Sequence, residues 1–433
     1  MQPLFNPTVE RKDPLDRETL RDVIELALWT GQLLLHAGAQ SARIERTVHL
    51  LGTSLGADWM DIMVMPEGLM VTTVSGEEFR TRIRRVVTLG VNLSMIAEIN
   101  ALSRRVADGE LDRFAVRREL QRLEGLHSHY SRWVVVLMVG LACAAFSRLF
   151  GGDWLTFGVT FAASSAAMFV RQTLSRAYLN TLLVIMATAF VAGLIPGLAA
   201  MIGLLPRPET ALAASVLLLV PGVPLINAAR DILRGYIVTG TARGIYGFVI
   251  SLCIALGLLV ALQLTGVRGL DTTTVVNRDP VFFLLADALW SGVAAAGFAV
   301  LFNVPVRYLP FCALAGAAGH SLRALLMMSG VALSSGTLAG ALLVGLLGEV
   351  FAQRLRSPAG VFAVPAAIPM VPGVFAFRAM IGVINLTIAP AGRDTLVLVD
   401  AITNFAITGL VLAALAVGIA MPSLIGRRQK PVV

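Results

Sequence analysis

The sequence predicts a polytopic α-helical membrane protein, ten transmembrane helices forming a 5+5 inverted repeat, with an N-terminal soluble α/β domain. Three observations predict it. Of the 433 residues, 56% are hydrophobic and only 14% charged, with a mean hydropathy of +0.78, whereas soluble domains average about a quarter charged. Apolar runs of roughly 20 residues, the length that crosses about 30 Å of hydrocarbon, recur from residue 133 to the end. The charge is also split. Residues 1–132 hold 17 basic and 18 acidic side chains and residues 133–433 hold 18 and 9, so the formal +8 belongs to the apolar part. A nucleic-acid binder carries its basic excess where it reaches phosphates, on a soluble face. That class is set aside.

Within the N-terminal domain, 1–132, Asp16 caps a helix whose apolar residues, from Leu20 and Val23 to Leu34 and Leu35, recur at three and four positions, and Gly38 ends it. Ser41 opens a second helix with Ile44, Val48, Leu51 and Leu55 on one face. Strand signals follow at 59–65, 69–74 and 79–87, punctuated by Pro66-Glu67-Gly68 and Ser75-Gly76, with Arg80, Arg82 and Arg84 alternating, as in a sheet with one wet face. Two more helices, 92–107 and 112–126, flank Asp108-Gly109-Glu110. The first residues show no apolar stretch followed by a cleavage site, so this domain is expected to stay where it is made.

The ten spans fall at 133–150, 153–171, 179–203, 210–234 and 243–264, then, after an external linker at 265–280, at 281–303, 307–328, 333–352, 359–383 and 396–421. The halves are therefore 133–264 and 281–433. With the N-terminal domain cytoplasmic, eleven basic residues lie on inner connections, among them Arg171, Arg243, Arg354 and Arg427, and five on outer ones, Arg148, Arg207, Arg268, Arg278 and Arg393. The positive-inside rule thus places both termini in the cytoplasm. The fourth span of each half contains the same tetrapeptide, Val220-Pro221-Gly222-Val223, followed by Pro224, and Val371-Pro372-Gly373-Val374. Five is odd, so the halves enter in opposite directions, and matched helix breaks in inverted halves point to a transporter's midplane site. Two ordinary proline kinks are the plain alternative.

Ionisable residues inside spans are functional candidates by default. Asn227 and Asp231 share a helix face after the first break and are candidates for the carboxylate and ammonium of an amino acid; Arg230 beside them reads more simply as an interfacial anchor. Arg378 follows Pro372 by six residues, as Asn227 follows Pro221, and is a candidate for a substrate carboxylate, or else an arginine reaching headgroups. Asp287 and Asp400 are candidates for proton coupling, with Asn404 on the face of Asp400 as a substrate contact. His320, one turn from Arg323, joins the proton path, against the commoner satisfied histidine. Glu349 reads as half of an interfacial ion pair with Arg354. Cys143, Cys253 and Cys312 sit singly in apolar runs and read as core, so neither a metal nor another cofactor is expected. His127 and His129 resemble a metal pair only weakly. Gly336 and Gly340 form a GxxxG that serves a homo-oligomer or packing within the chain equally.

QLLLHAGAQSARIERT (32–47), MPEGLMVT (65–72), RRVVTLGVNLSMIAEINALSRRVADGELD (84–112) and VPGVPLINAARDILRGYIVTGTARG (220–244) resemble the first conserved region of the threonine/serine exporter family. FAVLFNVPVRYLPFCALAGAAGH (298–320) and RLRSPAGVFAVPAAIPMVPGVFAFRAM (354–380) resemble its second. The resemblance implies an inner-membrane exporter of small hydrophilic metabolites, typically threonine and serine, driven by the proton gradient, with a dicarboxylate such as succinate in members split into two polypeptides. Its partners are then a small-molecule substrate, protons and the bilayer. Two other classes remain to be compared. A passive channel is one. A membrane-tethered hydrolase using Glu45, Asp58, Asp61, Glu67, His36 or His49 is the other, although no HExxH, GxSxG or P-loop supports it.

Overall fold

A capping bond opens the fold: Asp16 accepts from the Thr19 backbone N–H at 2.8 Å, meeting one of the orphan donors at a helix N-terminus. The computed structural model describes residues 12–86, 90–126, 128–205, 207–267, 279–386 and 394–425. Helix α1 (Arg17–His36) buries Leu20, Val23, Ile24, Ala27 and Leu34, and stops at Gly38, whose φ of 79° suits a residue without Cβ. After α2 (Ser41–Ser54) come β1 (Trp59–Met65), β2 (Gly68–Ser75) and β3 (Glu78–Arg85), an antiparallel sheet in the order β1-β2-β3. Helices α3 (Leu93–Ala107) and α4 (Arg113–Glu124) are capped by Asn92 and Asp112.

One face of the sheet buries Met60, Val64, Leu69 and Val71. The arginines of β3 lie on that same helix-covered side: Arg82 pairs with Glu25 of α1 at 2.6 Å, and Arg84 donates to Gln32 at 3.2 Å. Phe79 and Ile83 are the exposed ones. On β1 and β2 the covered face is the apolar one, whereas on β3 it is the basic one, because Glu25 and Gln32 on the polar flank of α1 receive its arginines.

The remaining chain is helical: α5 (Arg132–Leu149), α6 (Trp154–Arg176), α7 (Thr181–Met201), α8 (Pro208–Val216), α9 (Gly222–Leu233), α10 (Ile237–Thr265), α11 (Pro280–Leu301), α12 (Leu309–Met328), α13 (Leu333–Leu355), α14 (Ala359–Ala367), α15 (Gly373–Leu386) and α16 (Asp394–Ile425). Seven of them, α5, α7, α10, α11, α12, α13 and α16, are long and apolar enough to cross a membrane, and the bent pairs α8/α9 and α14/α15 bring the number to as many as nine. The chain is a multi-pass membrane protein. The sequence led us to expect ten spans. The difference is α6, which runs for 23 residues but carries Thr156, Thr160, Ser164, Ser165, Arg171 and Gln172. The expected linker and the basic cluster at 427–430 lie largely outside the described residues.

Neighbour relations recur along this part. α5 packs on α6, α6 on α7, α7 on α10 and α9 on α10, while α8 touches α5, α6 and α7. In the same order α11 packs on α12, α12 on α13, α13 on α16 and α15 on α16, with α14 touching α11, α12 and α13. Between the two sets α5 meets α11, and the remaining contacts are reciprocal, α9 with α16 and α15 with α10. At one end of α5, Arg132 stacks on Phe169 at 4.2 Å; at the other, Arg148 lies over Trp154 at 4.6 Å. Those two arginines are roughly 24 Å apart at 1.5 Å per helical residue.

Small residues set the closest helix approaches. A Cβ on Gly340 of α13 would stand 2.4 Å from the Gly319 carbonyl oxygen of α12, and one on Gly319 would stand 2.9 Å from the oxygen of Gly340. The GxxxG glycine thus packs within the chain. Gly340→Ala should lower the thermal stability of the purified protein by the ~1–3 kcal/mol typical of an overpacked contact. Gly409→Ala, with nothing within 4 Å, should leave it unchanged or raise it. Equal melting curves for the two variants would refute this packing account.

Candidate functional site

Two helix breaks define the site. A proline has no N–H to continue a helix and forces its predecessor out of the α region. Accordingly α8 tightens into a 3₁₀ turn at Leu217–Leu219, stops at Val220, and restarts as α9 at Gly222 with a 60° bend. α14 tightens at Ile368–Met370, stops at Val371, and restarts as α15 at Gly373 with a 53° bend. The two breaks match bond for bond. Gly222 N–H donates to Val220 at 2.7 Å and Gly373 N–H to Val371 at 2.8 Å, each an i to i+2 turn over the proline; Leu225 and Ala376 then donate to Pro221 and Pro372, both at 3.0 Å. Pro224 occupies the first turn of α9, where a missing N–H costs nothing.

The breaks also touch one another. A Cβ on Gly222 would lie 3.1 Å from Ile368 and 3.3 Å from Val371, and one on Gly373 would lie 2.7 Å from Leu217 and 2.8 Å from Val220. Four apolar side chains therefore close the space between the breaks, and the approach is tightest at Gly373, where a Cβ would force Leu217 or Val220 to shift.

On one side of this contact lies a cavity of about 370 Å³, bounded by α2 and α3 and by α9, α13, α14 and the end of α16. Six arginines line it, Arg43, Arg46, Arg104, Arg230, Arg234 and Arg356, against a single carboxylate, Glu349. Among the described residues no carboxylate forms an ion pair with Arg230 or Arg234; the Arg234 Nε and the buried Ser357 hydroxyl have no partner. The Gln40 amide sits between Arg230 and Asn227: with its oxygen toward the guanidinium it accepts from Arg230 Nε at 3.3 Å, and in the other orientation its nitrogen donates to Asn227 Oδ1 at 3.3 Å.

Asn227 and Asp231 stand where α9 meets the N-terminal region. Asn227 Nδ2 donates to the Gly38 carbonyl at 3.0 Å. The fully buried Asp231 accepts from Ser41 N–H at 3.1 Å, Ser41 Oγ at 3.0 Å and Arg243 Nη1 at 2.7 Å. Gln40, the residue before α2, makes no side-chain cap, so Asp231 supplies the negative charge at that helix N-terminus from another element. Arg243 also reaches the Ala39 carbonyl at 3.0 Å, and Thr239 donates to Val64 at 3.0 Å. Tyr236, between α9 and α10, donates to Glu45; burial and that acceptor push its hydroxyl pKa upward.

A second cluster sits between α11 and α12. His320 Nδ1 lies 2.9 Å from both oxygens of Asp287, Ser321 Oγ donates to Asp287 at 3.0 Å, and both members of the pair are buried. Arg323, one turn on, donates from Nη1 to the Met370 carbonyl at 3.3 Å, in the second break.

The structure thus joins Asp287 with His320, and places Asn227 and, through Val223, the first break on the wall of one cavity. Asp400 is exposed on α16 and bonded by Asn404 Nδ2 at 3.0 Å, apart from Asp287. Arg378 is half-buried on α15. The N-terminal carboxylates are dispersed: Asp58 accepts from Gly76 at 2.7 Å, Asp61 from Trp59 at 2.8 Å, and Glu67 pairs with Arg85 at 3.3 Å. His49 bonds the Met60 carbonyl at 3.0 Å and His129 the Ser94 hydroxyl at 2.7 Å; His127 lies outside the described residues. Among the described residues no group of three His, Cys, Asp or Glu is placed to hold a metal ion. The sequence reading missed Gln40 and Ser41 and the arginines of α2 and α3, and took Arg243 only as a topology signal. Ser41 and Asp231 are 190 positions apart, and no local pattern links them.

Comparison with known proteins agrees with this architecture. The family profile described as "Putative threonine/serine exporter" matches residues 25–265, and the one described as "Threonine/Serine exporter, ThrE" matches residues 287–425. The chain is 35% identical over 256 residues to the "Probable succinate transporter subunit YjjP" of Escherichia coli (strain K12), covering 59% of this chain and 99% of that protein. It is 36% identical over 255 residues to the protein of the same name from Klebsiella aerogenes, covering 59% and 98%. An uncharacterized protein of Haemophilus influenzae is 24% identical over 419 residues, 97% of this chain and 100% of that one. No solved structure matches. With both family regions in one polypeptide, the chain belongs to the ThrE threonine/serine exporter family.

Proposed function

We propose that this protein is a secondary-active, proton-coupled exporter of small hydrophilic carboxylates, working by alternating access between two inverted halves of five helices. The observation that carries the proposal is the pair of matched, mutually touching helix breaks next to an arginine-lined cavity. The recurring neighbour relations and the reciprocal α9/α16 and α15/α10 contacts support the repeat, and the arginine–aromatic contacts at the ends of α5 and α6 support α6 as a tenth span. The excess of basic residues on the connections of the N-terminal side argues for a cytoplasmic N-terminal region in the inner membrane of a bacterium, with both termini inside. The cavity is then the inward vestibule, and Leu217, Val220, Ile368 and Val371 form the closed gate beyond it.

Coupling is assigned to Asp287 and His320. A proton gained or lost there changes the charge beside Arg323, which holds the Met370 carbonyl of the second break, so protonation and break geometry are joined through one side chain. Asp231 serves docking of the N-terminal region rather than substrate, since Ser41 and Arg243 occupy its oxygens. For the substrate, six arginines against one carboxylate favour a dianion over a zwitterion, and the two relatives named as succinate transporter subunits point the same way. Threonine or serine is the second reading, favoured by the family description and by Glu349, placed to meet an ammonium group.

In proteoliposomes, Asp287→Asn and His320→Gln should abolish the dependence of net efflux on an imposed pH gradient while counterflow persists; an unchanged gradient response in both variants removes the pair as the coupling site. Counterflow with labelled succinate, threonine and serine should be fastest with succinate. Saturable threonine counterflow without succinate exchange would reverse that ranking, and unsaturable efflux after both gradients are collapsed would instead indicate a channel.

A further inference from the structure

The N-terminal region grips both sets of helices. Its first grip is the corner between α1 and α2. Asn227 and Arg243 donate to the Gly38 and Ala39 carbonyls there, both at 3.0 Å, and Ser41 donates to Asp231 through its N–H and its Oγ. The same corner is bonded to the segment that leads into α3: Gly90 N–H donates to His36 at 2.8 Å and Asn92 N–H to Ala37 at 3.1 Å. From there the bonds continue into the other set. Leu93 N–H donates to the Phe302 carbonyl at 2.9 Å, and Asn303, between α11 and α12, donates from Nδ2 to Asn92 Oδ1 at 3.1 Å. Asn303 Oδ1 accepts from His129 N–H at 2.8 Å and Ser128 Oγ at 3.0 Å, Tyr130 donates to Val304 at 2.5 Å, and Arg104 of α3 donates to the Arg356 carbonyl at the end of α13 at 2.5 Å. Gly38, Ala39, Gln40 and Leu93, all in this run, line the cavity.

Alternating access closes a vestibule by moving one set of helices against the other. A bridge fixed to both sets opposes that movement, so one grip has to release. The two are unequal. Asp231 and Arg243 pair at 2.7 Å and both are buried, and parting such a pair leaves a charge uncompensated. The grip on the second set consists of neutral bonds at Phe302, Asn303 and Val304, those from Ser128 and His129 exposed, and of the exposed bond from Arg104, all of which water replaces more easily. Resting on the exporter reading above, we infer that the N-terminal region is a strap that holds the vestibule open: it stays anchored on α9 and α10 and lets go of the α11–α12 connection at Asn303 when the vestibule closes.

Hydrogen exchange of the full-length protein in nanodiscs, resolved to single amides, tests the unequal grips without transport. Ser41 and Leu93 are both buried first residues of helices whose N–H bonds to another element, so burial alone predicts equal protection. After correction for intrinsic rates, the Leu93 amide should exchange at least about tenfold faster, the difference between a neutral and a charged acceptor; equal or reversed protection overturns the strap. In proteoliposomes, a cleavable cross-link between Ser128→Cys and Asn303→Cys should stop counterflow of labelled succinate, threonine and serine, and cleavage should restore it. The same cross-link between Glu45→Cys and Tyr236→Cys, on the anchored side, should leave counterflow running. Counterflow that survives the first cross-link, or stops with both, overturns the strap. Protein without a cross-link that exchanges none of the three substrates overturns the exporter reading, while the amide comparison still judges the strap.

Discussion

A proline inside a membrane helix leaves a carbonyl without its donor, in surroundings where no water replaces it. The architecture follows from meeting that constraint twice in the same way. Each break recovers a bond through a tight turn over the proline, and each is followed by glycine, so the other break covers the exposed backbone with Leu217 and Val220 or with Ile368 and Val371. Neither half closes its own interruption. The helices around them repeat the same neighbours, and α5 packs against α11 between the two sets.

Charge then organises what lies outside the breaks. The first break leads into α9, and α9 leads to Asp231, which acts as the missing cap of α2 and as the partner of Arg243. Removing either partner of a buried charged bond leaves the other uncompensated, so this junction ties the N-terminal region to α9 and α10. The second break is reached from the opposite direction by Arg323, whose neighbour is the Asp287–His320 pair. One break is tied to a domain and the other to a titratable pair.

Much of this was legible in the sequence, for identifiable reasons. Capping residues and three-four spacing located α1 to α4 to within a few residues, because those signals act over a single turn. The two Val-Pro-Gly tetrapeptides marked the breaks, since proline acts on its own backbone. Asp287 and His320 stood out separately as polar residues in apolar runs, and folding brought them to 2.9 Å. The arginine cavity was not legible. Its walls come from α2, α3, α9 and α13, and arginines such as Arg234 and Arg356 look in sequence like topology signals. The count of spans was limited by α6, whose hydroxyls lower its apolar character: Thr160 donates to the carbonyl one turn back and Ser164 reaches Ser215 of α8, so both are satisfied inside the protein.

The α5–α11 contact has a consequence for assembly. The relatives named as subunits are matched over 99% and 98% of their length by 59% of this chain, whereas here α5 and α11 belong to one polypeptide. On one chain their encounter is intramolecular, at an effective concentration in the millimolar range for a short linker. The two sets of helices are then made in equal number by translation itself, and the contact between them need not be strong enough to find a partner in the bilayer.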